Sequence, residues 1–190
     1  MIGIFQTAAR VQEVCQQAGW KFCFIGAVAL QRWGEPRFTK DVDLTVYTGF
    51  GNEEGFIDLL LRHFSPRMPD AAKFALTNRV VLLKSDTNVG IDVALGGLPF
   101  EAQLIDRASY FRFPVDINLL TCSAEDLIIT KSFADRGQDW IDIDRVLVRQ
   151  GEKLDWTYIY KHLKELLVLK ESPEILERLK KLRAERDANP

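Results

Sequence analysis

The chain has 190 residues, 47% hydrophobic and 27% charged, which is enough apolar material for a sizeable core and excludes wholesale disorder. Its 25 Lys and Arg against 27 Asp and Glu give a formal net charge of -2, so a general electrostatic grip on nucleic acid is not expected and only a local basic patch remains open. No run of about 18 apolar residues occurs, which argues against a membrane partner.

Met1-Ile2-Gly3-Ile4-Phe5-Gln6-Thr7 lacks the basic and apolar regions of a signal peptide. Cys15, Cys23 and Cys122 form no C-x-x-C pair, and the two histidines, His63 and His162, add no zinc cluster. Buried free thiols in a reducing, cytoplasmic setting are expected.

Residues 5–18 read as an amphipathic helix, with Phe5, Ala8, Val11, Val14 and Cys15 at near-helical spacing and Gly19 as its stop. Trp20 to Ile25 reads as a strand, Gly26 as a turn, Ala27 to Trp33 as a short helix and Val42 to Tyr47 as a second strand. Gly49, Gly51 and Gly55 mark a loop before a helix at Phe56 to Phe64, and Pro66 and Pro69 break the chain. Phe74 to Lys84 and Val89 to Leu95 are predicted as a hairpin around Ser85-Asp86-Thr87-Asn88, which Gly96-Gly97 ends. A helix at Phe100 to Ala108 and a strand at Phe113 to Leu119 follow.

From Ser123 onward the pattern is helical, with helices expected at 123–135, 139–149, 155–169 and 173–187 and a fraying, charge-rich tail from Lys180. The expected class is α+β: a small mixed β-sheet flanked by helices, then a C-terminal helical bundle. The composition shift places a core at 1–120 and a helical region, packed on that core, at 121–190.

The chemistry concentrates in Asp41-Val42-Asp43. On a strand, alternate residues share a face, so both carboxylates project together while Val42 and Leu44 face a core. Paired carboxylates repel unless a cation neutralises them, and Mg2+ or Mn2+ with substrate phosphates suits such oxygen donors. A bare D-x-D on an exposed edge strand is the plain alternative.

Two further features point to the ion. Gly26 stands at a strand-to-helix turn, where free N–H groups can meet a phosphate and small Ala27 permits close approach. Asp92 is the sole charge in the apolar run Val89-Gly90-Ile91-Asp92-Val93-Ala94-Leu95, a costly placement unless it is paired.

Gly26-Ala27-Val28-Ala29-Leu30, Pro36-Arg37-Phe38-Thr39-Lys40-Asp41-Val42-Asp43 and Ile91-Asp92-Val93-Ala94-Leu95-Gly96 together resemble the polymerase-β-like nucleotidyltransferases. They are most similar to the AbiEii/AbiGii-type toxins and their bacterial relatives. The resemblance runs from about Phe22 to Val148 and takes in Glu125 to Lys131, Arg136, Asp139 and Asp142. Ala27 departs from the second Gly or Ser of many relatives, which removes a hydroxyl but leaves the backbone N–H.

The resemblance implies transfer of a nucleoside monophosphate from an NTP to an acceptor hydroxyl on tRNA or other RNA, a protein or a small molecule. It also implies a toxin role with a cognate antitoxin. It assigns the metal that bridges the triphosphate to Asp41 and Asp43, with Asp92 sharing a second Mg2+ and assisting deprotonation of the acceptor. It assigns the triphosphate to Gly26, Ala27, Arg37 and Lys131, with Thr39 either fixing the approach to Asp41 or serving as a plain turn residue. The rival readings are a catalytically silent nucleotide-binding or protein-interaction module that keeps the fold, and an antitoxin-like partner that modifies another protein.

Lys131 lies on the same helix face as Leu127 and Ile128, so three readings stay open: snorkelling, pairing with Asp135, or contact with an anionic ligand. Other signals point to structure. Gly49 to Gly55 misses G-x-G-x-x-G by one residue, and there is no P-loop or G-x-S-x-G elbow. Trp33, Trp140 and Trp156 read as packing anchors, and Arg178 to Arg186 as a solvated helix face.

Overall fold

The computed structural model describes residues 2–114 and 116–188, and it divides the chain into two compact units. The first comprises Met1–Val28 and Arg37–Cys122, the second Ala29–Pro36 and Ser123–Pro190.

The first unit opens with α1 (Ile2–Gln17). Ala8, Val11 and Cys15 are fully buried along one stripe of it. Gly19 at φ 68° ends the helix, because Trp20 N–H can then reach back to Cys15 O at 2.9 Å and Gly19 N–H to Gln16 O at 3.0 Å. Next come β1 (Phe22–Phe24), α2 (Gly26–Trp33), β2 (Asp41–Tyr47), α3 (Glu53–His63) and the edge pair β3 (Ser65–Pro66). They are followed by α4 (Ala71–Asn78), β4 (Val80–Lys84), β5 (Gly90–Gly96), α5 (Pro99–Asp106), β6 (Ser109–Phe113) and β7 (Ile117–Thr121).

Among the described residues the strands form one mixed sheet in the order β3-β4-β5-β2-β1-β7-β6. β2 pairs in parallel with β5 and β1 with β7, and the other pairings are antiparallel. One face carries the core: Val42, Leu44 and Val46 of β2 and Ile91, Val93 and Leu95 of β5 pack with Phe5, Ala8 and Val11 of α1. The alternation along β2 and β5 leaves Asp41, Asp43 and Asp92 on the other face.

Two expected strands are corrected. Residues 71–78 are helical rather than the start of a strand from Phe74. Ala71 and Ala75, four apart, bury one face, and Arg79, in the left-handed region at φ 54°, caps the helix through its N–H to Ala75 O. The strand expected at Phe113 to Leu119 is two strands, β6 and β7. The chain turns after Phe113, and Asp116 at φ 61° donates its N–H to Phe113 O at 3.0 Å. Val115, inside the expected strand, lies outside the described residues.

The second unit holds α6 (Ala124–Ala134), α7 (Gly137–Gln150), α8 (Trp156–Lys170) and α9 (Glu174–Ala188). Ser123 caps α6: its Oγ accepts from Asp126 N–H at 3.1 Å and donates to Asp126 Oδ2 at 2.7 Å. Asp155 caps α8 by accepting from Tyr158 N–H at 3.0 Å. Gln150 Nε2 donates to Trp33 O at 2.9 Å, and Arg149 donates to Gly34 O, which ties the 29–36 segment to α7. The tail expected to fray is helical to Ala188, and residues 189–190 lie outside the described part. Trp140 is buried, as expected of an anchor, and Arg183 lies 4.4 Å over the Trp156 ring. Cys15, Cys23 and Cys122 are buried thiols outside any disulfide.

Candidate active site

The parallel pairing of β2 with β5 sets the site. Asp41 stands opposite Gly90 and Asp43 opposite Asp92. Partners in register project to the same side, so three carboxylates share the open face of two neighbouring strands.

Two glycines make room for them. A Cβ on Gly90 would overlap the Asp41 carboxylate, and one on Gly26 would overlap that of Asp43. Gly26 also has φ 55°, a conformation few side chains tolerate. The turn is tied to β2 by Ile25 N–H to Asp43 O at 3.0 Å, and Ala27 N–H lies 3.5 Å from Asp43 Oδ2. Asp43 therefore sits against the N-terminus of α2, where helix N–H groups favour negative charge.

Thr39 holds the start of β2. Its hydroxyl donates to Asp41 O at 3.2 Å and lies 3.4 Å from Asp41 N–H, which it accepts. Arg37 is half-buried and donates to Phe38 O at 3.2 Å.

A cation also stands at this face, Arg67. This residue follows β3, and its guanidinium pairs with Asp92 and stands 3.5 Å from Asp41 Oδ1. Nothing in the local pattern Ser65-Pro66-Arg67-Met68-Pro69 signals it; only the pairing of β3 with β4 and β4 with β5 brings it to the carboxylates. Burial pushes the Asp92 carboxyl up to about 6; Arg67 opposes the shift, and the charges of Asp43 and Asp41 add to it.

Among the described residues no three acidic, histidine or cysteine side chains, as they stand, converge as the ligands of one ion. Arg67 draws on Asp41 and Asp92, while Asp43 lies against the α2 turn. The donor chemistry nonetheless fits a divalent cation: three hard oxygen donors lie on one face, and Asp92 ionises reluctantly beside the other two.

In the helical unit Lys131 is buried. Its ammonium donates to Asp139 Oδ1 at 3.1 Å and Asp142 Oδ2 at 2.7 Å. Of the three readings open for it, the structure shows an ion pair, with Asp139 and Asp142 in place of Asp135. Asp135 lies in the left-handed region at the end of α6 and accepts instead from Trp140 Nε1 at 2.6 Å and Arg178 at 3.2 Å. Burial pushes the Asp139 carboxyl up, but hydrogen bonds and charge from Arg136 and Lys131 outweigh it and hold the group below the usual carboxylate range.

Residues 12–188 match the family described as nucleotidyl transferase AbiEii toxin, type IV toxin–antitoxin system. The chain belongs to the AbiEii family. Membership makes it a nucleotidyltransferase. No curated protein matches the sequence.

Among solved structures, an antigenic nucleotidyltransferase-like protein from Paracoccidioides brasiliensis is similar, with TM-score 0.53, 11% identity and 92% of each chain covered. The lincomycin-bound lincosamide adenylyltransferase LnuA matches with TM-score 0.46 and 12% identity, over 72% of this chain and 91% of that one. The antibiotic-resistance factor ANT(2'')-Ia matches with TM-score 0.48 and 12% identity, over 97% and 91%. The first of these likenesses speaks for the nucleotidyltransferase fold of this AbiEii-family chain. Among the described residues no helix is long and apolar enough to cross a membrane.

Proposed function

We propose that this AbiEii-family protein transfers a nucleoside monophosphate from an NTP to an acceptor hydroxyl on RNA, a protein or a small molecule and releases pyrophosphate. In the proposal it uses Mg2+ or Mn2+ and acts as a toxin held in check by a cognate antitoxin. The observation that carries this reading is the register of Asp43 against Asp92, with Asp41 over Gly90 and the Gly26 turn beside them.

Asp41, Asp43 and Asp92 would hold the divalent cation, which when bound neutralises triphosphate oxygens. The Gly26-Ala27 turn would present backbone N–H groups to the phosphates, and Arg37 would offset charge on them as pyrophosphate leaves. Thr39 keeps the Asp41 backbone in place. As the acceptor oxygen attacks the α-phosphorus, its proton would pass toward Asp92, the carboxylate that stands in register beside Asp43. These roles all fall within the first unit. Lys131 lies in the second unit, where its ammonium serves Asp139 and Asp142.

The experiment is incubation of the protein with each α-labelled NTP, Mg2+ or Mn2+, and cell extract, beside an Asp43→Asn control. Label moving to an acceptor in the wild type alone supports the reading. Equal labelling by both proteins, or none with any NTP and either metal, removes it. Growth arrest on expression, relieved by one co-expressed neighbouring gene product, tests the toxin role.

A further inference from the structure

The strand pairing arranges the open face of the sheet in two rows. Asp41, Gly90, Lys84 and Ser65 share one, and Asp43, Asp92 and Leu82 share the next. Arg67 N–H donates to Leu82 O at 3.0 Å, so Arg67 continues the second row at the edge of the sheet. From this anchored position its guanidinium pairs with Asp92 and approaches Asp41, while the third carboxylate, Asp43, has the Ala27 N–H beside it.

Three carboxylates on adjacent strands need positive charge, and here a guanidinium supplies it. Arginine is well suited because it stays charged at every relevant pH, and its fork presents two N–H groups to two acceptors at once. A divalent cation bound by Asp41 and Asp92 would meet that positive charge at the same two side chains, at a separation where like charges repel strongly.

We propose that Arg67 is the resident counter-cation of this site, and that a divalent cation binds by displacing its guanidinium from Asp41 and Asp92. The proposal rests on the reading of this face as the metal–nucleotide site and adds to it a residue that sets metal affinity. Because the Arg67 backbone is tied to Leu82, the displaced guanidinium stays at the rim, where an incoming triphosphate is the next anion it can serve. Metal and nucleotide then favour each other's binding through Arg67, a coupling that works in both directions.

The test is Mn2+ binding to the full chain without nucleotide, followed by the paramagnetic resonance of free Mn2+, for the wild type, Arg67→Gln, Arg67→Lys and Asp43→Asn. Arg67→Gln should bind Mn2+ about tenfold more tightly than the wild type, because a competing charge is gone. Arg67→Lys, which keeps the charge and loses the fork, should fall between them. In EDTA, Arg67→Gln should melt earlier than the wild type and recover more on adding Mn2+. An Arg67→Gln affinity equal to or weaker than that of the wild type overturns the proposal. Asp43→Asn tells the two failures apart. If it loses Mn2+ while Arg67→Gln changes nothing, Arg67 alone is wrong; if it binds Mn2+ like the wild type, the metal-site reading falls and this proposal with it.

Discussion

Asp43 of β2 lies directly opposite Asp92 of β5, and parallel pairing holds both carboxylates on one face while their neighbours Val42 and Val93 are fully buried on the other. The two residues are nonetheless in different surroundings. Asp43 touches the turn that begins α2; Asp92 is partly desolvated and paired with Arg67.

That difference separates their roles under substitution. Asp43→Asn should abolish the extra rise in melting temperature that Mg2+ or Mn2+ with NTP gives over NTP alone, with the fold kept, since ligand-linked stabilisation follows binding. Equal shifts in wild type and variant would remove Asp43 from the metal site.

Asp92→Asn removes one of the three carboxylates assigned to the cation, so it should weaken metal-dependent NTP binding and lose about 10²–10⁴ in turnover, the range for a missing positioned acid or base. Single-turnover transfer, measured beside NTP binding, checks this. Full turnover by a folded Asp92→Asn protein would leave Asp92 as a structural residue.

Gly26→Ala places a methyl group where the Asp43 carboxylate lies and forces a side chain into positive φ. Transfer should fall at least as far as in Asp43→Asn, and stability should drop by about 1–3 kcal/mol from the strained backbone. Denaturant unfolding and the labelling assay together measure it. An active, fully stable Gly26→Ala protein would contradict the close approach of the turn to β2.

Lys131→Met leaves Asp139 and Asp142 without the ammonium between them. Stability should fall by about 3–5 kcal/mol, the usual result of breaking a buried ion pair from one side, with NTP affinity little changed. NTP affinity lowered by about 1–3 kcal/mol in a fully stable protein would return Lys131 to the triphosphate.

Asp139 gives the helical unit a pH dependence. Its folded pKa is held below the ordinary carboxylate value, so its contribution is present above the unfolded pKa and disappears as pH falls through the folded one. Asp139→Asn should therefore be less stable than the wild type at neutral pH, and the gap should close in acid. Urea unfolding at several pH values below 7 reads this directly, and a gap that stays constant into acid would contradict it.

Much of the fold was legible because it rests on local periodicity. The apolar stripe of α1 and the alternation in β2 and β5 announce both their elements and their buried faces. Asp41, Asp43, Gly26 and Asp92 were legible for the same reason, each being conspicuous against its own segment. α4 was misread because Phe74, Ala75 and Leu76 suit either a helix or a strand, and the packing of Ala71 and Ala75 decides between them. Arg67 and the pairing of Lys131 with Asp139 and Asp142 were not legible. The first depends on strand order and the second on how α6 meets α7, and neither contact leaves a trace in nearby sequence.

The register of β2 against β5 also acts as a check on assembly. Side chains alternate with a period of two, so a slip of β2 by one residue would drive Asp41 and Asp43 into the core and turn Val42 and Leu44 out to water. Such a register buries two charges and exposes two apolar side chains, so it is strongly disfavoured. Molecules that pass this step carry the carboxylates on the correct side, so mispaired β2 should contribute no folded but chemically empty population.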